Sequence, residues 1–142
     1  MSVIFNGYKF ACGYRVDMEY LRDFLEDGTW MEPKMDNALA AVLVEGWYAR
    51  RIPEDQQSSC PKPIRLTTIK DATCNDVQVF LLTRFEIIST VADGSKLDEA
   101  ESDKAKRQKF IEFANLFRKN KSFDVRKTTF DVVECKTTTI RW

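Results

Sequence analysis

None of the 142 residues of this chain is a histidine, and this absence limits the chemistry that its side chains can perform. Histidine is the side chain that titrates near neutral pH, so the usual general base, proton shuttle and metal ligand is absent. Serine triads, cysteine–histidine dyads and zinc sites that include histidine are therefore excluded. Carboxylate, tyrosine, lysine and cysteine chemistry remain open, as does binding without catalysis.

The four cysteines are far apart in the sequence and lack the CxxC spacing of thiolate metal sites and redox motifs; they are Cys12, Cys60, Cys74 and Cys135. Cys74 has acidic neighbours and only Lys70 as a nearby cation, so nothing indicates an activated thiol. Phosphate-binding glycine loops and GxSxG are absent as well. We predict no catalytic residue, metal site or cofactor, and a non-catalytic role is favoured over an enzyme, although the latter stays open.

Aromatic and arginine side chains are the best candidates for holding a small anionic ligand, and four suit that role: Tyr14, Arg15, Trp47 and Arg84. Arg84 lies within the most apolar strand pattern, where a charge is seldom buried unpaired. It is expected either to point to solvent or to pair with a carboxylate such as Glu86 or Asp131. If it faces a cavity instead, it is the anchor of a ligand site.

Charge is segregated along a chain whose net charge is zero. Acidic residues concentrate between positions 17 and 36, and basic residues between 104 and 127. The basic residues expected to form a surface are Lys104, Lys106, Arg107, Lys109, Arg118 and Lys119. This asymmetry favours a non-catalytic interaction or regulatory module that binds a protein partner or itself.

The sequence is also compatible with two alternative functions. The first is an enzyme or binder of a small anionic ligand in an aromatic and arginine-lined pocket. The second is nucleic-acid binding through the basic segment, because phosphate backbones attract such clusters. No apolar run approaches the length of about 20 residues that spans a membrane, and no signal-peptide pattern begins the chain, so we expect a cytoplasmic protein with no membrane partner.

The elements that would position these residues begin with a strand over 8–16, where apolar and polar residues alternate. Asp17 is placed to cap a helix over 17–27. A second helix is expected from Asp36 or Asn37 to just before Pro53, with Gly46 thinning it for close packing. An exposed loop is predicted over 53–63, where three prolines fall.

The second half of the chain predicts two strands, over 64–69 and 77–91, that pair as an antiparallel hairpin. A long helix is expected from Ser95 to about Lys119, followed over 123–142 by one bent strand or two short ones. The order β-α-α-β-β-α-β(-β) favours one α+β domain over residues 1–142, a mainly antiparallel sheet with about three helices packed on it.

Overall fold

The computed structural model describes residues 8–25, 37–68, 77–88, 96–117, 122–135 and 138–141. Its elements are β1 (Tyr8–Val16), α1 (Met18–Leu25), α2 (Asn37–Arg51), a 3₁₀ segment (Glu54–Ser59), β2 (Lys62–Thr68), β3 (Gln78–Ile88), α3 (Glu101–Phe117), a 3₁₀ turn (Val125–Lys127), β4 (Thr128–Glu134) and β5 (Thr138–Arg141). The predicted α+β class and element order are confirmed. Across the described ranges, no helix has the length and apolar character needed to cross a membrane.

The strands form one sheet in the order β4-β1-β3-β2-β5, and every neighbouring pair is antiparallel. The predicted pairing of β2 with β3 is confirmed. Of the two alternatives for 123–142, two short strands are found, and they occupy opposite edges of the sheet. Three peptide units separate Cys135 from Thr138 and reach about 11 Å at most. The end of β4 at one edge therefore lies near the start of β5 at the other.

The first two helices begin where the sequence predicts. The backbone N–H of Tyr20 donates to Asp17 Oδ1 at 3.1 Å, so Asp17 is the N-cap of α1. The predicted end of this helix at residue 27 lies outside the described residues. α2 ends at Arg51, before Pro53. The close packing predicted at Gly46 is not found among the described residues: of their side chains and the other elements, a Cβ there would meet only Arg50 Nη1, at 3.5 Å.

Two predicted boundaries differ from the structure. α3 begins at Glu101, and at its start Asp103 Oδ2 accepts a hydrogen bond from the Ala100 N–H at 2.9 Å. Ser95, the predicted cap, and Lys119, the predicted end, lie outside the described residues. The segment 53–63 is mostly exposed up to Ser59, but it forms 3₁₀ structure, then buries Cys60, Pro61 and Pro63, and enters β2 at Lys62.

Helices pack on one face of the sheet. The main core there joins strand residues such as Tyr14 and Leu81 to Leu21, Trp47 and Phe110 of the three helices. A smaller cluster lies on the opposite face and takes all its buried members from strands: Ala11, Ile64, Leu66, Phe80, Leu82 and Val133.

A β-bulge interrupts the pairing of β1 with β3. Cys12 pairs with Arg84 but Gly13 pairs with Leu82, so Thr83 is the extra residue. A Cβ on Gly13 would overlap the Leu81 carbonyl oxygen and come within 2.9 Å of its carbonyl carbon. Only glycine fits this close approach of two backbones.

Candidate functional site

A cavity of about 500 Å³ opens between α2, the 3₁₀ segment and the start of β2. We call it the α2–β2 cavity. Its lining consists of Glu45, Tyr48, Ala49, Ile52, Gln57, Cys60, Pro61, Lys62, Pro63 and Arg65. The volume lies within the range of about 300–1,000 Å³ that is usual for small-molecule sites.

Local structure explains why these side chains converge. α2 contributes Glu45, Tyr48 and Ala49, whose spacing of three and four places them on one helix face. Ile52 follows directly after α2, and its N–H donates to the Tyr48 carbonyl at 3.2 Å, so it continues that face. On β2, Pro63 and Arg65 are two residues apart and so share the face of the strand that packs against α2. Cys60 is held between these elements by the turn that ends the 3₁₀ segment.

An ion pair forms part of the cavity wall. Arg65 Nε lies 3.3 Å from Glu45 Oε1, and the two side chains are 35% and 27% exposed. Both of these atoms are buried, yet no hydrogen bond of good geometry satisfies either. Burial raises the pKa of Glu45 above its ordinary value, although the charge of Arg65, hydrogen bonding to the Arg65 side chain and backbone, and the charge of Lys62 act in the opposite direction.

Tyr48 contributes a second incompletely satisfied group. The residue is 4% exposed, and its hydroxyl has no hydrogen bond of normal geometry. Its ring packs on Phe110 of α3, with centroids 5.5 Å apart, so the side chain is fixed in place. Burial, followed by the neighbouring Cys60 thiol, raises the pKa of Tyr48. The hydroxyl therefore keeps its proton at neutral pH and can act as a donor but not as a base.

A second polar cluster lies where α3 meets β1 and β3, and it contains Arg84, one of the predicted ligand residues. Arg84 Nε lies 3.2 Å from both carboxylate oxygens of Asp103, and its other nitrogens donate to Glu86 and to the Asp98 carbonyl. The Thr83 hydroxyl lies 2.7 Å from Asp103 Oδ1. We call Thr83, Arg84, Glu86 and Asp103 the sheet–α3 network.

The pairing of Arg84 with Glu86 is thus confirmed, whereas Asp131 pairs with Arg15 instead. Within the network, burial alone would raise the pKa of Asp103. Hydrogen bonds from Thr83, the Ala100 N–H and Arg84 outweigh that effect and hold the pKa below its ordinary value. The charge of Arg84 is satisfied within the protein, and Arg84 does not line the α2–β2 cavity.

Tyr14 is completely buried beside this network. Its hydroxyl donates to Glu99, and the Arg107 guanidinium lies 4.6 Å from the centre of its ring. Burial, then the hydrogen bond to Glu99, raises the pKa of Tyr14. The tyrosine is therefore a neutral donor that helps hold the segment before α3 on the sheet.

The other two predicted ligand residues lie elsewhere. Trp47 is 2% exposed in the main core, with the Arg51 guanidinium 5.2 Å from its ring centre. Arg15 pairs with Asp131 and donates to Gln78 at 3.0 Å on the opposite face of the sheet. The structure does not gather Tyr14, Arg15, Trp47 and Arg84 around the α2–β2 cavity.

Each of the predicted basic residues on α3 has a partner within the protein. Lys104 lies 3.2 Å from Glu101, and Lys109 lies 3.7 Å from Glu112. Lys106 Nζ donates to the Thr83 carbonyl at 2.6 Å, on the bulge. Arg107 also pairs with Glu99, at 3.8 Å. Arg118 and Lys119 lie outside the described residues, as does 26–36 of the acidic segment.

Sequence reasoning missed the charged residues of the cavity, Glu45, Lys62 and Arg65. The available signal was the helical spacing of Glu45 with Tyr48 and Ile52, a polar residue on an otherwise apolar face. Cys60 was assigned to an exposed loop, but it is a buried free thiol. Cys12 is also buried and free; its thiol pKa is raised to about 11, mainly by burial.

No three side chains among the described His, Cys, Asp and Glu residues are grouped so that they could hold a metal ion. The α2–β2 cavity is therefore considered for what its own side chains can bind. Comparison of the chain with protein-family models, with curated proteins and with solved structures finds no match.

Proposed function

We propose that this protein binds a small molecule with an apolar body and an anionic group in the α2–β2 cavity. The observation that carries the proposal is a cavity of about 500 Å³ whose wall holds a buried Tyr48 hydroxyl and a Glu45–Arg65 pair, neither fully hydrogen-bonded. A buried polar group without a partner costs about 1–3 kcal/mol. A ligand that supplies the missing partner recovers part of that cost.

The lining determines the ligand class. Ala49, Ile52, Pro61 and Pro63 offer apolar walls, suited to an aliphatic or aromatic body. Lys62 and Arg65 are the cationic lining residues and Glu45 the anionic one. The excess of positive charge favours a carboxylate or another anion over a cation.

The arrangement supports binding rather than catalysis. Tyr48 holds its proton, since its pKa is raised by burial and by Cys60. Glu45 is paired with Arg65, so a free base is not presented to a bound molecule. The interaction-module and nucleic-acid hypotheses remain predictions, and they draw less support because Lys104, Lys106 and Arg107 already have partners within the chain.

A nuclear magnetic resonance screen tests the proposal. The amide spectrum of the ¹⁵N-labelled protein is recorded with aromatic and aliphatic carboxylates and with neutral molecules of the same shape. Binding is expected to shift amides of α2 and of residues 57–65, with carboxylates binding more tightly than neutral analogues. Hits that shift only amides far from the cavity would contradict the proposal.

A cavity-filling variant provides the matched control. Ala49 lines the cavity, so Ala49→Phe should abolish binding by occupying the space. Ala105 is an exposed alanine in α3 that does not line it, so Ala105→Phe should leave binding unchanged. Retention of binding by Ala49→Phe, with its fold intact, would place the ligand elsewhere.

A further inference from the structure

We infer that Glu45 occupies the anion site of the α2–β2 cavity. When a ligand binds, its carboxylate replaces the Glu45 carboxylate at Arg65, and Glu45 takes up a proton. This inference rests on the proposed function and adds to it a rule of selectivity and a dependence on pH. Glu45 is then an internal competitor of the ligand, and its protonation releases Arg65.

The geometry of the ion pair shows why replacement is favourable. Guanidinium and carboxylate groups interact most strongly through two parallel hydrogen bonds. Glu45 approaches Arg65 through Oε1 and Nε at 3.3 Å, and neither of these buried atoms is in a hydrogen bond of good geometry. A mobile ligand carboxylate is not tethered to α2, so it can adopt the two-bond arrangement.

Charge explains why a proton must enter. The charged groups near Glu45 from the packed strand β2 are Arg65 and Lys62. Lys62 is exposed, so solvent and salt weaken its effect. Two carboxylates beside the single half-buried guanidinium repel each other, and the repulsion favours the neutral form of one of them. Burial already favours the neutral form of Glu45, which makes it the proton acceptor.

The probes are 2-naphthoate and the neutral 2-naphthol, which share an aromatic body and differ in charge. Dissociation constants are measured between pH 5.5 and 8 by calorimetry, in two buffers with different ionisation enthalpies. Naphthoate binding should take up about one proton and weaken by up to about tenfold for each pH unit above the Glu45 pKa. Naphthol binding should not change with pH. Proton uptake is measured on the unmodified protein, so the test does not depend on a variant folding.

Two substitutions sharpen the result. Glu45→Gln should tighten naphthoate binding and abolish its pH dependence, because the competing carboxylate is gone. Glu54→Gln removes an exposed carboxylate outside the cavity lining, and it should change neither the affinity for naphthoate nor the pH dependence of binding.

The outcomes separate the two proposals. Naphthoate that binds at the cavity without proton uptake, and with the same affinity in Glu45→Gln, overturns the exchange and leaves the proposed function standing. Failure of both probes to bind at the cavity at millimolar concentration counts against the proposed function itself, and the exchange falls with it.

Discussion

The sheet–α3 network and the α2–β2 cavity both place charged side chains in the interior, but they satisfy them to different degrees. Asp103 is 1% exposed and accepts hydrogen bonds from Thr83, Arg84 and the Ala100 N–H. Glu45, in contrast, meets its arginine at a buried atom that no well-formed hydrogen bond satisfies. Fully bonded buried groups stabilise one arrangement, whereas incompletely bonded groups beside a cavity leave a place for a ligand.

The pKa values of Asp103 and Glu45 are also shifted in opposite directions. Burial penalises ionisation of both, but only Asp103 has enough donors to overcome it, so its pKa is lowered while that of Glu45 is raised. The network therefore holds a charge that folding favours. In the cavity, by contrast, folding favours the neutral form of Glu45.

Removal of the Asp103 side chain should cause the largest loss of stability. Asp103→Ala leaves Arg84 without one of its charged partners in a partly buried site, and the free energy of unfolding should fall by about 3–5 kcal/mol. Glu101→Ala, two residues away on a side chain that is 90% exposed, should change the free energy of unfolding by less than about 0.5 kcal/mol. Urea unfolding of both variants measures the difference, and equal values would show that the network does not hold α3 on the sheet.

The bulge beneath the network is the next test. Gly13→Ala should lower the free energy of unfolding by about 2–3 kcal/mol, because a Cβ would overlap the Leu81 carbonyl. Chemical denaturation measures the loss. A variant as stable as the wild type would show that the two strands can separate at this point without penalty.

The pH dependence of stability should carry opposite contributions from the two regions. The Asp103 pKa is lowered by folding, so its contribution is present above the unfolded value and is lost as the pH falls through the folded one. The Glu45 pKa is raised, so its contribution is lost as the pH rises through the folded value. Thermal unfolding from pH 3 to 7 should show a shallower acid decline in Asp103→Asn. It should also show more stability gained between pH 4 and 6 in Glu45→Gln than in the wild type.

Two buried tyrosines allow a matched comparison of satisfied and unsatisfied hydroxyls. Tyr14→Phe removes a donor to Glu99 and should lower the free energy of unfolding by about 1 kcal/mol or more. Tyr48→Phe removes a hydroxyl with no hydrogen bond of normal geometry, and should leave stability unchanged or raise it by up to about 1 kcal/mol. Equal losses in the two variants would mean that Tyr48 is satisfied after all, which would remove a support of the proposed function.

The smallest expected effect lies on α2, which walls the cavity. Gly46→Ala should raise the free energy of unfolding by about 0.5–1 kcal/mol, because helix propensity improves and the new Cβ makes an ordinary contact with Arg50 Nη1 at 3.5 Å. Chemical denaturation of both variants should show that Gly46→Ala raises the free energy of unfolding, whereas Gly13→Ala lowers it. A loss of stability at Gly46 would indicate packing on this face of α2.

Prediction from sequence succeeded where a short pattern is enough. Alternation over 8–16 identified β1, and Asp17 marked the start of α1. It did not foresee that Lys106 and Arg107, which were predicted to lie on an interaction surface, contact the Thr83 carbonyl and the Tyr14 ring. Thr83 and Tyr14 are more than 20 positions away from these two residues in the chain, so no local pattern could reveal the contacts.

The sequence by itself determined the α+β class, the order of the elements and the absence of histidine chemistry, because periodicity, caps and composition are local properties. Only the tertiary structure decided which charges are satisfied. Glu45 lies on α2 and Arg65 on β2, and the two meet only because α2 packs across that strand. Arg84 was expected to anchor a ligand if it faced a cavity, but the docking of α3 brings Asp103 to it. Contacts between distant segments depend on how the elements pack, and that packing sets both the burial and the partners of each charge.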